Sequence, residues 1–488
     1  MALALGVAVS VLIAAAAYLY TTRSRTMVSA NSIAVLPFIN ASGDPTMEYL
    51  SDGISESLIN SLSQLPNMRV MARTTTFTFK GGDTNPSAVG KQLGVSAVLT
   101  GKIVQRDDNL IVQVDLVNVS DGAQLWGGRY NRKATDLLAV QEEIAREVVE
   151  TLRVRLSNED RDRLTKRYTE NLDAYRAYLK GRYEWNKRTA EGLNRAIEFF
   201  NQAITLDPTY ALAYAGLADV YSLLPQYANA PFDESLMKAK AASLKAVELD
   251  NSLSEAHISL AFVKASLWEW SDVEAEFKRG LALNPNYATG HQWYSEYLVP
   301  MARLDEARKE IRRAQELDPL SLVINVRLGM TAYFARDFAN AEKHLRDALQ
   351  FNTDFSLTHL FLFHSIYQQG KIEQSIPHLV VGAFNNHSKE ERAKFEEEFR
   401  QAYSTSGKKG MLEKARDLIK ASPKHDYSHA QLLGSILSQL GEKDEAFVWL
   451  NRAADVKHPG IPTLRVDPVF DDVRSDPRLE QLMKRVGI

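Results

Sequence analysis

The chain repeats itself every 34 residues. The segments ITLDP, LALNP, QELDP and the eroded LQFNT end at Pro208, Pro285, Pro319 and Thr353, and VELDN ends at Asn251. Asn251, Pro285, Pro319 and Thr353 follow one another at intervals of 34. A unit of this length is one α-hairpin, which cannot bury its apolar stripe alone and becomes stable only when stacked on its neighbours. From Asp173 onward the expectation is therefore a helical solenoid.

Aligned on that period, Ala196, Ala239, Ala307, Ala341 and Ala446 share one position, and Ala203, Ala246, Ala314, Ala348 and Ala453 a second, seven residues later. Gly280 and Gly382 fill the second position in two further units. Large residues recur between the two: Phe200, Phe277, Ile311, Leu345, Leu379 and Leu450. Antiparallel helices that cross closely tolerate only small side chains at the crossing, so the series is a packing signature. The pattern resembles the tetratricopeptide repeat. About three extra residues sit in the first unit, and about nine near Pro225–Asp233 in the second. Phe363 stands where a small residue is usual, and residues 383–426 fit poorly, so a distorted unit is expected there. The array spans 172–457, and 458–488 reads as a cap on its apolar end.

Residues 32–157 alternate element types. Ser32–Ile39 is a continuous apolar strand closed by the turn-rich Asn40–Pro45. Leu50, Ile54, Leu58, Leu62 and Leu65 then fall on one helical face. Ala97–Gln105 and Leu110–Val119 read as a hairpin, Asp121-Gly122 as the next turn, and Leu137, Val140, Ile144, Val148, Leu152 and Leu156 as a long amphipathic helix. Three to five strands with helices packed on them make a small α+β domain. SIAVLPFIN, YLSDGISESLINSLS, MRVMART, VLTGKIVQ, LVNVSDGAQLWGGRY and VQEEIAREVVETL resemble the amino-terminal domain of TolB-type proteins over about 125 residues. That resemblance implies a place beside a membrane span and before tetratricopeptide repeats, as in bacterial membrane signalling proteins. The propeller that follows this domain in TolB is not found here. The expected fold is multidomain: an α+β domain followed by an all-α, right-handed tetratricopeptide solenoid.

Composition narrows the function. Charge is balanced at a net −3, which gives no footprint for a phosphate backbone, so nucleic acid is not an expected partner. The chain has no cysteine, which removes disulfides, thiol chemistry and Cys-based metal centres. Ala2–Tyr20 carries no charge over 19 residues and is followed by Arg23 and Arg25. It is just long enough to span a bilayer, so 1–22 is read as a transmembrane anchor, with an uncleaved signal as the rival. The two arginines place the bulk of the chain in the cytoplasm. The layout implied by the resemblance places it outside, in the periplasm, and is given more weight.

No GxxxxGK[ST], GxSxG, HExxH or kinase constellation occurs, so no catalysis and no cofactor are expected. His257, His291 and His359 occupy one repeat position in different units and cannot share an ion; they are read as packing inside their hairpins. His425 and His429 form half a metal site without a third ligand. Trp268 and Trp270 are read as turn packing, and Asp471, Asp472 and Asp476 as helix caps or a solvated face. The tetratricopeptide resemblance implies that the first helices of the hairpins line a concave trough. Its inward positions carry Asp219, Phe262, Gln292, Glu296, Val326, Met330, Tyr333, Phe334, Leu360, His364 and Tyr367. Ala215 and Asp219 replace the Lys and Asn with which some family members clamp a peptide carboxylate, so an apolar, aromatic-rich floor for a protein or peptide is expected instead. Two functional readings follow: a membrane-tethered protein-interaction scaffold, or the sensor and assembly half of a signalling receptor with a kinase, cyclase or winged-helix output elsewhere.

Overall fold

The computed structural model describes residues 31–82, 85–228, 230–421 and 429–488. The amino-terminal sheet contains β1 (Ser32–Val35), β2 (Ile39–Asn40), β3 (Arg69–Val70), β4 (Ala97–Arg106), β5 (Asn109–Asn118) and β6 (Gln124–Lys133). Its order is β3-β1-β4-β5-β6, with β2 pairing on β4. β1 runs parallel to β3 and β4, while β4, β5 and β6 form an antiparallel meander. The two-residue turn between β4 and β5 places Asp107 in the left-handed region at φ 51°. Alternation along β5 puts Leu110, Val112, Val114 and Leu116 in the core. The sheet has six strands rather than three to five: the strand expected at Arg69–Ala72 is β3, and the continuous strand expected over Ser32–Ile39 is broken into β1 and β2.

Helices α1 (Glu48–Ser63) and α4 (Leu137–Thr151) cover one face of this sheet, and α3 (Pro86–Leu93) covers the other; α2 (Arg73–Phe77) lies between. A short helix α5 (Asn158–Leu164) leads out, started by a reciprocal capping box between Ser157 and Asp160.

The array follows as stacked hairpins, each with a first (A) and second (B) helix. Hairpins one to six are 172–185/190–206, 211–228/232–249, 254–266/273–283, 288–298/304–317, 322–334/338–348 and 356–368/372–383. The last is 430–440/443–455. All ten alanines of the two small positions are fully buried, as are Phe200, Phe277, Ile311 and Leu345 between them. The tightness is literal at the glycines. A Cβ on Gly280 would stand 2.7 Å from Ile258 Cδ1, and one on Gly382 would stand 2.8 Å from the Leu360 backbone nitrogen. Only a missing side chain lets those helices meet.

The poorly fitting unit is one helix, Lys389–Ala421, broken at Ser406 and Gly407. A Lys414–Glu398 ion pair of 2.8 Å across the break shows that its halves fold back on each other. The extra residues of the second unit lengthen its helices to 18 residues each. Among the described residues no helix is long and apolar enough to cross a membrane, and the segment 2–20 lies outside them.

Candidate functional site

The loops that join one hairpin to the next form a row along one edge of the array, and each carries the Asp or Asn of the repeating motif. Four successive members of this row are engaged by the chain that precedes the array. Asp207 accepts from the Thr169 hydroxyl at 2.5 Å, Asp250 from Lys166 Nζ at 2.6 Å, and Asp318 from the Thr75 hydroxyl at 2.7 Å. Asn284 donates to Ser63 Oγ at 2.9 Å. Asn286 adds donations to the carbonyls of Ser63, Leu65 and Met68, at the buried carboxy-terminal end of α1 and its following turn. The backbone joins in where the Ala72 N–H donates to the Leu317 carbonyl at 2.8 Å. Burial pushes the Asp318 carboxyl up to about 6 despite its threonine donors. The periodic Asp/Asn was visible in sequence, but its role as an anchor was not, because its partners lie more than 200 residues away at Asn284 and Asp318.

Behind this row, α1 lies against the A helices of the first two hairpins. Buried Glu56 meets Arg182 at 2.6 Å and Arg73 at 2.9 Å, and Arg182 continues to Asp219 at 3.6 Å. Asp219 also accepts from Ser259 at 2.6 Å, so one charge chain links the mixed domain to three hairpins. Burial opposes charge on Glu56, yet Arg182 and Arg73 hold its carboxyl below its ordinary value. Asp219, expected to face the trough, is thus committed to this domain contact.

The other half of the trough is occupied by the chain's own carboxy terminus. Segment 458–488 does more than cap the last hairpin: it crosses from there to the fifth and third hairpins. Tyr333 donates its hydroxyl to Asp467 at 2.7 Å, Arg336 binds Asp471 through two nitrogens at 2.7 and 2.8 Å, and Trp270 Nε1 donates to the Val486 carbonyl at 2.7 Å. Val326, Met330, Tyr333 and Phe334 share one core with Ile461, Leu464, Val469, Phe470, Leu482 and Val486. The expected floor is assembled but not open.

The remaining trough residues divide. Phe262 stacks on Trp293 with centroids 4.2 Å apart, and buried Gln292 donates to Glu296, which pairs with Arg327 at 3.0 Å. Leu360 is half-buried, its backbone pressed against Gly382. Tyr367 falls into the next core, with Lys408 Nζ 4.8 Å from its ring centroid. His364 is buried beside Phe363, and burial drops its imidazole to about 4. The structure therefore brings Val326, Met330, Tyr333 and Phe334 together, with Phe262 at their margin, and separates Tyr367 from them.

The other candidate residues have local partners. His257, His291 and His359 each reach back to a carbonyl six residues earlier and across to the B helix: to Glu276, Glu310 and His378 respectively. They staple their own hairpins. Among the described residues no three potential ligands converge; His425 lies outside them, and His429 approaches the Ala383 carbonyl at 3.3 Å. Asp476 caps the helix Pro477–Val486, Asp471 is taken by Arg336, and Asp472 is exposed.

With this geometry in place, the chain can be set beside known proteins that it resembles in part. A family model described as HilA/YgeH-like transcriptional regulator, second domain, matches residues 29–147. The description that matches this stretch names HilA rather than TolB. A Rhizobium meliloti protein described as a candidate adenylate cyclase is 32% identical over 232 residues, 47% of this chain and 39% of its own length. Transcriptional regulator HilA of Salmonella typhimurium is 27% identical over 164 residues, 33% of this chain and 30% of its own. The chain thus spans well under half the length of these relatives. Among solved structures, YrrB, a TPR protein with an unusual peptide-binding site, is 22% identical, covers 38% of this chain and 90% of its own, and has a TM-score of 0.27. At that score the architecture stands on the hairpins themselves.

Proposed function

We propose that the chain is a non-catalytic protein-interaction scaffold, tethered to a membrane through residues 2–20 with its bulk on the periplasmic side, whose trough takes a peptide or protein segment. The observation that supports this most is the cis occupant. The wall around Val326, Met330, Tyr333 and Phe334 already holds a segment with apolar residues at helical spacing, Leu479, Leu482, Met483 and Val486. A wall that accepts such a segment from its own chain has the chemistry to accept one from a partner, the helix-in-groove mode of recognition. The tail then acts as a competitor that a partner must displace.

The absence of cysteine supplies a clean test. In an Arg336→Cys/Asp471→Cys variant the two thiols are unique, and a short bis-maleimide joins them across the exposed ion pair. In-cell cross-linking to partners should be lost in the linked chain and kept in the unlinked variant. Equal capture by both would remove the trough from the function.

The second reading, a sensor and assembly half of a signalling receptor, is favoured by the relatives: a candidate cyclase matched over 39% of its length and a transcriptional regulator matched over 30%. A cyclase or DNA-binding segment in frame ahead of Met1 in the mature transcript decides for it.

A further inference from the structure

The contact between the mixed domain and the array is not fully packed. α1, α4, the 164–169 segment and the A-helix ends of hairpins one to three enclose a cavity of about 80 Å³. At ~10–15 Å³ for each water, that is room for several waters or a three-carbon ligand.

Most polar groups on its wall are already engaged. Tyr175 shares hydrogen bonds with Ser57 and Gln141 at 2.8 Å, and Tyr168 accepts from Gln64 at 3.2 Å. The two cations at the rim are neutralised. Lys166 is held by Asp250, and Arg167 by Glu142 and Glu170. Several wall groups remain, among them the Gln141 Nε2 donor, which is buried without a partner. The hydroxyls of Tyr178 and Tyr210, residues only 7% and 1% exposed, have no hydrogen-bond partner among the described residues. Glu255 has only its own backbone N–H as a donor. Arg182, whose charge reaches it, is committed to Glu56 and Asp219, and the carboxylates of Asp219 and Asp250 add further negative potential.

A half-buried carboxylate with no ion-pair partner, on a wall with two unused hydroxyl oxygens, is better satisfied when something with donors and positive charge fills the space. An ammonium group carries three donors on a compact charge and matches one carboxylate and two hydroxyl acceptors. We propose that this cavity binds a small primary ammonium ion, with Glu255 as its counter-ion and Tyr178 and Tyr210 as acceptors, and that the bound ion ties α1 to the first three hairpins. The site is independent of the trough and of its partner.

The test uses the full chain with propylammonium chloride, matched against propanol for shape and sodium chloride for ionic strength. Calorimetric titration and thermal unfolding should show saturable binding and a rise in melting temperature with propylammonium alone. Glu255→Gln should weaken that binding by about tenfold or more, the loss expected for a charged hydrogen-bond partner. Should Glu255→Gln fail to fold, Tyr178→Phe/Tyr210→Phe keeps both rings and should weaken binding without lowering the unliganded melting temperature. A response to propylammonium no larger than to the two controls, meaning a cavity that holds water only, overturns the proposal. So does binding that survives both variants.

Discussion

The array is gripped at two places, each through a shared apolar core but with different polar fastening. At its amino-terminal half the mixed domain is fastened by the charge chain Glu56–Arg182–Asp219 and by the hydrogen-bonded row at Asp207, Asp250, Asn284 and Asp318. At its carboxy-terminal half the tail is held mainly by aliphatic and aromatic packing, with the buried Tyr333–Asp467 bond and exposed ion pairs such as Arg336–Asp471 at its margins. Charge chains demand one geometry and are costly to break singly, because each partner left behind is a buried ion. Apolar contacts are permissive in partner and additive in area. The first grip suits a permanent joint, and the second suits a joint that another amphipathic segment can replace.

The sharpest way to break this contrast is Arg182→Ala, which takes the shared guanidinium from Glu56 and Asp219 and leaves Glu56 with Arg73 as its cation. We expect a loss of ~3–5 kcal/mol in denaturant unfolding. Arg182→Met paired with Glu56→Leu should recover much of it, and no recovery would show that shape rather than charge dominates the joint. Next comes Leu482→Ala in the tail, expected to cost ~2–5 kcal/mol of local stability. If the tail is separable, hydrogen exchange in 461–486 should accelerate while the β4–β5 ladder stays protected. Uniform acceleration would merge the two grips into one unit. Ala307→Leu overpacks a helix crossing away from both and should cost ~1–3 kcal/mol by thermal unfolding.

A finer distinction lies in pH. Burial pushes the carboxyls of Asp467 and Asp318 up to about 6, above the ordinary value near 3.9 that they regain on release. The docked forms therefore hold more protons between about pH 4 and 6, so docking strengthens as pH falls from about 6 to about 4 and is level above and below that window. Asp467→Asn should flatten this dependence in tail exchange alone, and Asp318→Asn only at the mixed domain. The smallest effect is expected from Thr75→Val, ~1 kcal/mol for a lost hydrogen bond, read as a melting shift.

Sequence reading performed unevenly for physical reasons. The alanine and large-residue positions were legible because each is decided inside one hairpin or between adjacent ones, at separations the period itself displays. The composition of the trough wall was legible for the same reason. Its covering was not. Tyr333 and Asp467 are 134 residues apart, and the tail reads equally well as a lid on the last hairpin or as a strap across several. The docking row was legible as a motif but not as a contact, because Asp or Asn before Pro is already explained as a turn residue. Thr209 and Ser252 do make those local turn bonds, to Asp207 and Asp250. The unpartnered Glu255 left no signal at all, since only the third dimension shows which donors are absent.

The anchor row has one more consequence. Rungs at 34-residue spacing are similar, and Asn352 supplies a fifth that only serves its own loop by accepting from Asp354. A ladder of similar rungs does not by itself say where its rider should sit, although Asn286 gives one of them bonds that Ser252 and Leu320, 34 residues to either side, do not repeat. The irregular opening units break that symmetry, and Arg182 with Asp219 marks the single step at which Glu56 finds its match. The irregularities that blur the repeat on paper are the keyway that indexes the two bodies to each other.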